Sequence, residues 1–135
     1  MRAPNTALVV DDEVQLLRLV VRVLERADWK ARTAETKADA LQIFREYAEE
    51  IDLVLLDVNL SGDGGAEELL PLLLETKPAL GVLVMSGDAL PDSLAERLAS
   101  VGGAFLRKPF SPKALMRLLD DFGIEDEGAL QKEPA

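Results

Sequence analysis

Residues 53–57 read Leu53-Val54-Leu55-Leu56-Asp57: four apolar side chains without interruption, closed by a carboxylate. A strand with one face in water alternates apolar and polar residues, whereas an unbroken apolar run marks a strand covered on both faces, as in a parallel sheet flanked by helices. The run predicts such a strand, with Asp57 at its end. Reading outward, similar runs occupy residues 7–10 and 80–85, the latter interrupted by Gly81, and a shorter one occupies 104–106. Residues 29–33 alternate Trp, Lys, Ala, Arg, Thr, which suits a half-exposed edge strand. Between these runs the apolar residues fall at helical spacing: Val14, Leu17, Val20, Val21 and Leu24; Ala38, Leu41 and Phe44; residues 66–74; Leu94, Ala95, Leu98 and Val101; and Ala114, Leu115, Leu118, Leu119 and Phe122. Strand then helix, five times over, predicts an α/β fold, a doubly wound parallel sheet. Pro71 leaves two paths open for the third helix, a late start near Glu67 or Glu68 or a bend, because a proline inside a helix costs about 3 kcal/mol.

Composition narrows the chemistry. The 135 residues suit one domain able to bury its own core, and 48% are hydrophobic. Cysteine and histidine are both absent, which excludes disulfides, thiolate nucleophiles, Ser-His triads and sulfur or imidazole zinc sites. Any bound metal must be a hard, oxygen-preferring one. No apolar run approaches the ~20 residues of a membrane span, and no signal-peptide pattern opens the chain. A net charge of −10, from 25 acidic and 15 basic residues, argues against binding a phosphate backbone or an anionic membrane. A cytoplasmic protein that meets proteins, metal ions or small molecules is the expectation. Residues 124–135, with four acids, one lysine, a glycine and a proline, read as a loose acidic tail behind a domain spanning 1–123.

In a doubly wound sheet, ligands bind beyond the carboxyl ends of the strands. The residues closing each run are therefore the informative ones: Asp11-Asp12-Glu13 after the first, Asp57-Val58-Asn59 after the third, Ser86-Gly87 after the fourth and Arg107-Lys108-Pro109 after the fifth. Taken singly, each has an ordinary reading. Asp12-Glu13-Val14-Gln15 fits a capping box, Asp57 a turn, Ser86 a cap and Lys108 a solvated surface. Taken together they converge. Carboxylates from neighbouring strands raise each other's pKa unless a cation intervenes, and Mg²⁺ or Mn²⁺ suits an all-oxygen site. A carboxylate nucleophile, a metal pair of acids, a hydroxyl and an ammonium make a phosphoryl-transfer site.

Val9-Val10-Asp11-Asp12-Glu13, Leu55-Leu56-Asp57, Met85-Ser86-Gly87 and Lys108-Pro109-Phe110 resemble the receiver domains of bacterial two-component response regulators, over residues 6–122. The resemblance implies a flavodoxin-like five-stranded parallel sheet, order 2-1-3-4-5, with five helices. It implies Asp57 as phosphoacceptor, taking a phosphoryl group from a histidine of a partner kinase or histidine phosphotransfer protein. Asp12, Asp57 and the backbone carbonyl of Asn59 would bind Mg²⁺ directly, and Asp11 mainly through water. Lys108 would pair with the phosphoryl group, Ser86 would move to bond it, and Phe105 would turn inward as the switch aromatic. Lys108-Pro109 would be a cis peptide.

The sequence departs from the family pattern in three places. The loop after Asp57 is rich in glycine where the family usually carries a proline, Phe105 lacks the hydroxyl of the commoner Tyr, and Pro71 is unusual in the third helix. In the family the residues two past the phosphoacceptor and two past the switch hydroxyl influence how fast the aspartyl phosphate hydrolyses; here they are Asn59 and Asp88, both polar and able to orient water, so the resemblance implies a short-lived phosphoryl group. The chain is expected to be a phosphoacceptor rather than an enzyme acting on a separate substrate, similar to stand-alone receivers and to those of hybrid sensor kinases. A dimer through the fourth helix, fifth strand and fifth helix is a further expectation, with no nucleic-acid or membrane partner. Two alternatives stand beside this reading. One is a receiver that works as an interaction module without phosphorylation. The other is a haloacid-dehalogenase-like phosphatase, which would need Asp-x-Asp after the first strand, a spacing that Asp11-Asp12 lacks.

Overall fold

The computed structural model describes residues 5–60 and 65–122. The expected acidic tail at 124–135 lies outside them. Strands and helices alternate in the order β1 (Thr6–Val10), α1 (Val14–Arg26), β2 (Lys30–Ala34), α2 (Lys37–Tyr47), β3 (Ile51–Asp57), α3 (Gly65–Thr76), β4 (Gly81–Ser86), α4 (Asp92–Ser100), β5 (Ala104–Arg107) and α5 (Pro112–Phe122). The five strands form one sheet, ordered β2-β1-β3-β4-β5, and every pairing is parallel.

The unbroken apolar runs have a direct cause. Successive side chains of a strand point to opposite faces, and here both faces carry helices. Leu8, Val10, Val54, Leu56, Val82 and Val84 face one core with Ala40 and Phe44 of α2, Leu69, Leu70 and Leu73 of α3, and Leu94 and Leu98 of α4. Ala7, Val9, Leu53, Leu55, Leu83 and Met85 face the other, with Leu17, Val20, Val23 and Leu24 of α1 and Leu115 and Leu119 of α5. The edge strand β2 is half exposed, as its alternation predicts. Between β1 and β3 the register slips: Thr6 pairs with Ile51 but Ala7 with Leu53, so Asp52 is the extra residue. Its Oδ2 accepts the Thr6 N–H at 3.3 Å.

Two readings that the sequence leaves open are decided. The third helix does not take the late start: α3 begins at Gly65 and runs through Pro71. Burial of Leu69, Leu70 and Leu73 on the sheet holds the helix across the position where proline withholds its N–H. Nor is Asp12 the N-cap of α1. Glu13 is, without a side-chain cap, and its own N–H donates to Asp11 Oδ1 at 2.9 Å. By contrast α2 has an ordinary cap, Thr36 Oγ1 accepting from Asp39 N–H at 3.0 Å.

The approach of α4 to β5 requires a glycine at 103. A Cβ there would collide with Leu98 Cδ1 and lie 2.9 Å from the Val82 carbonyl oxygen. Backbone cannot yield as a side-chain tip can, so Gly103→Ala is expected to lower the unfolding free energy by about 2 kcal/mol. Urea unfolding followed by circular dichroism measures this, and an unchanged midpoint would mean the α4–β5 contact is looser than described.

Candidate functional site

In a parallel sheet every strand delivers its carboxyl end to the same edge, and the polar closing residues gather there. Asp57 is the last residue of β3, and it and Asp11, just past β1, are shut off from solvent, whereas Asp12 is exposed. One carboxylate oxygen from each of Asp11, Asp12 and Asp57 lies within 4.8 Å of the others. Lys108 Nζ reaches across from beyond β5. It donates to Asp11 Oδ2 at 3.1 Å and Glu13 Oε1 at 3.2 Å, and pairs with Asp57 Oδ1 at 3.2 Å. The Lys108–Pro109 peptide is cis, and the Lys108 N–H is fastened to the Ser86 carbonyl at 2.8 Å.

Backbone donors fix the two buried acids. Asp11 Oδ1 accepts from Glu13 N–H, and Asp57 Oδ1 accepts from Asn59 N–H at 3.2 Å. Among the described residues no buried side-chain polar atom lacks a partner. Burial pushes the Asp11 carboxyl above its ordinary range, with the Asp57 charge adding to the rise. The Glu13 N–H and the Lys108 ammonium pull the other way without cancelling it. For Lys108, burial acts to lower the pKa, but its hydrogen bond to Asp11 and the charges of Asp11 and Asp57 outweigh this and raise it.

Of the residues singled out from sequence, Asp11, Asp12, Asp57 and Lys108 meet directly. Ser86 ends β4 fully buried at the same edge, but its hydroxyl is engaged with Asp88, accepting that N–H at 3.0 Å. Asn59 is exposed beside Asp57. Phe105 lies in β5 next to Val84, half-buried against the core under α2, α3 and α4. Sequence reasoning missed Glu13, the third carboxylate on Lys108. The Asp11-Asp12-Glu13 run is the available signal, but only its first two acids are assigned to the site from sequence. Four carboxylates, three of them paired with the one ammonium, leave an excess of negative charge, and these all-oxygen donors fit a small, hard divalent cation such as Mg²⁺.

The fold and the site define a doubly wound α/β domain with an acidic, lysine-bridged cluster at the carboxyl edge of its sheet. The family model for the response regulator receiver domain matches residues 7–120, and the chain belongs to that family. Among curated relatives it is 37% identical over 109 residues to the probable transcriptional regulatory protein TcrX of Mycobacterium tuberculosis, covering 80% of this chain and 45% of that protein. It is 35% identical over 111 residues to the sensor kinase CckA of Brucella abortus, covering 82% of this chain and 12% of that protein. The chain thus spans less than half the length of the curated relatives it matches. Among solved structures it resembles the receiver domain of NtrX from Brucella abortus, with a TM-score of 0.72 and 30% identity over 93% of this chain and 98% of that one. The chemotaxis protein CheY4 of Vibrio cholerae, at 23% identity, shares the fold with a TM-score of 0.77, covering 89% and 99% of the two chains.

Removing the ammonium tests the electrostatics. Lys108→Met would leave Asp11 and Asp57 facing each other without a counterion. In metal-free buffer we expect about 2 kcal/mol less unfolding free energy in urea, with part of the loss recovered in Mg²⁺. Because the Lys108 pKa is raised by folding, its contribution is fully present below the ordinary value of 10.5 and is lost as pH rises through the raised one. The gap between wild type and variant should therefore narrow on the alkaline side. A stability equal to wild type at neutral pH would overturn this account.

Proposed function

We propose that this chain is a phosphoacceptor that receives a phosphoryl group on Asp57 from a histidine of a partner kinase or phosphotransfer protein. The observation that carries the reading is the position of Asp57: buried at the end of the central strand, within reach of two more carboxylates and paired with Lys108. A carboxylate oxygen of Asp57 attacks phosphorus, the bond from phosphorus to the donor imidazole nitrogen breaks, and its electron pair returns to the imidazole. Asp12, Asp57 and the Asn59 carbonyl would hold Mg²⁺ or Mn²⁺ directly, with Asp11 acting through water; the metal would offset charge on the phosphoryl oxygens. Lys108 is placed to exchange a carboxylate oxygen for a phosphoryl oxygen. Ser86 would give up its bond to Asp88 and donate to the phosphoryl group, and Phe105 would follow it inward by packing alone.

The donor must approach where the site opens. A depression of about 380 Å³ lined by Leu16, Leu19, Pro109 and Phe110, with Glu13 and Lys108 at its edge, adjoins the site and suits an apolar protein surface. The face of α4, β5 and α5 is the proposed output surface, through a second copy or another protein, with the cytoplasm as the compartment. Among the described residues no helix is long and apolar enough to cross a membrane.

Intact-mass spectrometry after incubation with a small phosphodonor and Mg²⁺ tests the reading. One added phosphoryl group is expected, absent in Asp57→Ala. An adduct that survives in Asp57→Ala would overturn the assignment. If neither phosphodonor nor beryllofluoride with Mg²⁺ perturbs the amide spectrum, the phosphorylation-independent reading would replace it.

Asn59 and Asp88 are both exposed beside the site and polar, so water can be oriented toward the acyl phosphate. Its loss within minutes in Mg²⁺ is expected in a time course of the same mass measurement. Persistence for hours would sink the idea.

A further inference from the structure

We propose that residues 124–135 of this chain dock along the outward side of α1, in its groove with the edge strand β2, held by Arg18, Arg22 and Arg26. The groove measures about 550 Å³ and is lined by Val14, Leu17 and Val21 of α1, by Ala31 and Thr33 of β2, by Arg18 and Arg22, and by one acid, Glu35. Val14 is 43% exposed there, one of the most exposed large hydrophobic residues described. An apolar floor open to water beside exposed cations is what an acidic segment with a few apolar side chains would cover.

The arginines carry the argument. Arg18, Arg22 and Arg26 follow one another at intervals of four, so they stay within an arc of about 80° on α1. All three are exposed. Among the described residues none of them makes an ion pair, whereas Arg32 is paired with Glu50, Lys37 with Glu68 and Lys108 with three carboxylates. α1 therefore presents three arginines without ion pairs among the described residues, two of them sharing their groove with the single acid Glu35, on a chain whose net charge is −10. The complementary segment is in the same chain: Ile124-Glu125-Asp126-Glu127-Gly128-Ala129-Leu130-Gln131-Lys132-Glu133 carries four acids against one lysine, with Ile124 and Leu130 as apolar contacts.

The geometry permits the contact. α1 and α5 pack on the same face of a parallel sheet, so both run back from its carboxyl edge and end at the opposite one. Phe122, the last residue of α5, lies against Gly81 at the start of β4. Three strand spacings, about 14 Å, separate β4 from β2, and α1 is about 20 Å long. Residues 123–130 alone span about 25 Å when extended. Tethering makes the encounter intramolecular, at an effective concentration of order millimolar, which offsets the weakness of exposed ion pairs.

The absence of cysteine allows one nitroxide to be placed cleanly. In the full chain, Gln131→Cys carrying a spin label should broaden the amide signals of α1 from Val14 to Arg22 and of β2 from Ala31 to Ala34 at low salt. The broadening should fade at 0.5 M salt, as screening requires. It should also disappear in Arg18→Gln/Arg22→Gln/Arg26→Gln. The variant Glu125→Gln/Asp126→Asn/Glu127→Gln, which alters none of the described residues, should abolish it as well. Broadening spread evenly over the surface, or centred elsewhere, would overturn the proposal. So would broadening of label-free ¹⁵N protein by an unlabelled spin-bearing copy, since the tail would then be docking between molecules.

Discussion

The carboxyl edge of this sheet depends on one ammonium group. Asp11 and Asp57 are shut out of solvent a few ångströms apart, and Lys108 bridges them from a strand three places away in the sheet from β1. Two like charges in that setting would repel each other and lack hydration; a lysine placed between them supplies attraction to both. The Lys108 backbone N–H is bonded to the end of β4, which anchors the base of its side chain. Glu13 adds a third carboxylate and takes up part of the same cation. The site is therefore incompletely neutralised by its own side chains, and its chemistry follows from that deficit.

Much of this was legible in the sequence. The runs at 7–10, 53–56 and 80–85 read as doubly covered strands because each does face two cores, with alternate side chains on opposite sides. The alternation at 29–33 read as an edge, and β2 is one. Asp11, Asp12, Asp57 and Lys108 were legible because a parallel sheet sends every strand end to one side. The strand order was not available from periodicity, which says that a strand is buried but not by which neighbours; it came with the family resemblance, and the structure has it.

The misses share a cause. Glu13 rather than Asp12 stands at the N-cap of α1, and its N–H donates to Asp11 Oδ1. Asp11 is in turn held by Lys108, a partner 97 residues away that no local pattern contains. The path of α3 was open because propensity opposes Pro71 while packing of Leu69, Leu70 and Leu73 favours the helix, and only the tertiary structure decides between them. The slip at Asp52 leaves no mark in the apolar pattern, because both faces at that end of β3 are apolar. The hydroxyl of Ser86 was placed at the correct edge, but its engagement with Asp88 is a backbone detail.

The span between Asp11 and Lys108 has a thermodynamic side. A site assembled from the loops after β1, β3, β4 and β5 does not exist in any fragment of the sheet, so it forms only when folding is nearly complete. Whatever occupies it draws its free energy from the native state alone and returns that energy to the whole sheet rather than to one loop. Occupancy and global stability are thus linked functions in this molecule: a cation bound at one edge makes helices on both faces harder to unfold.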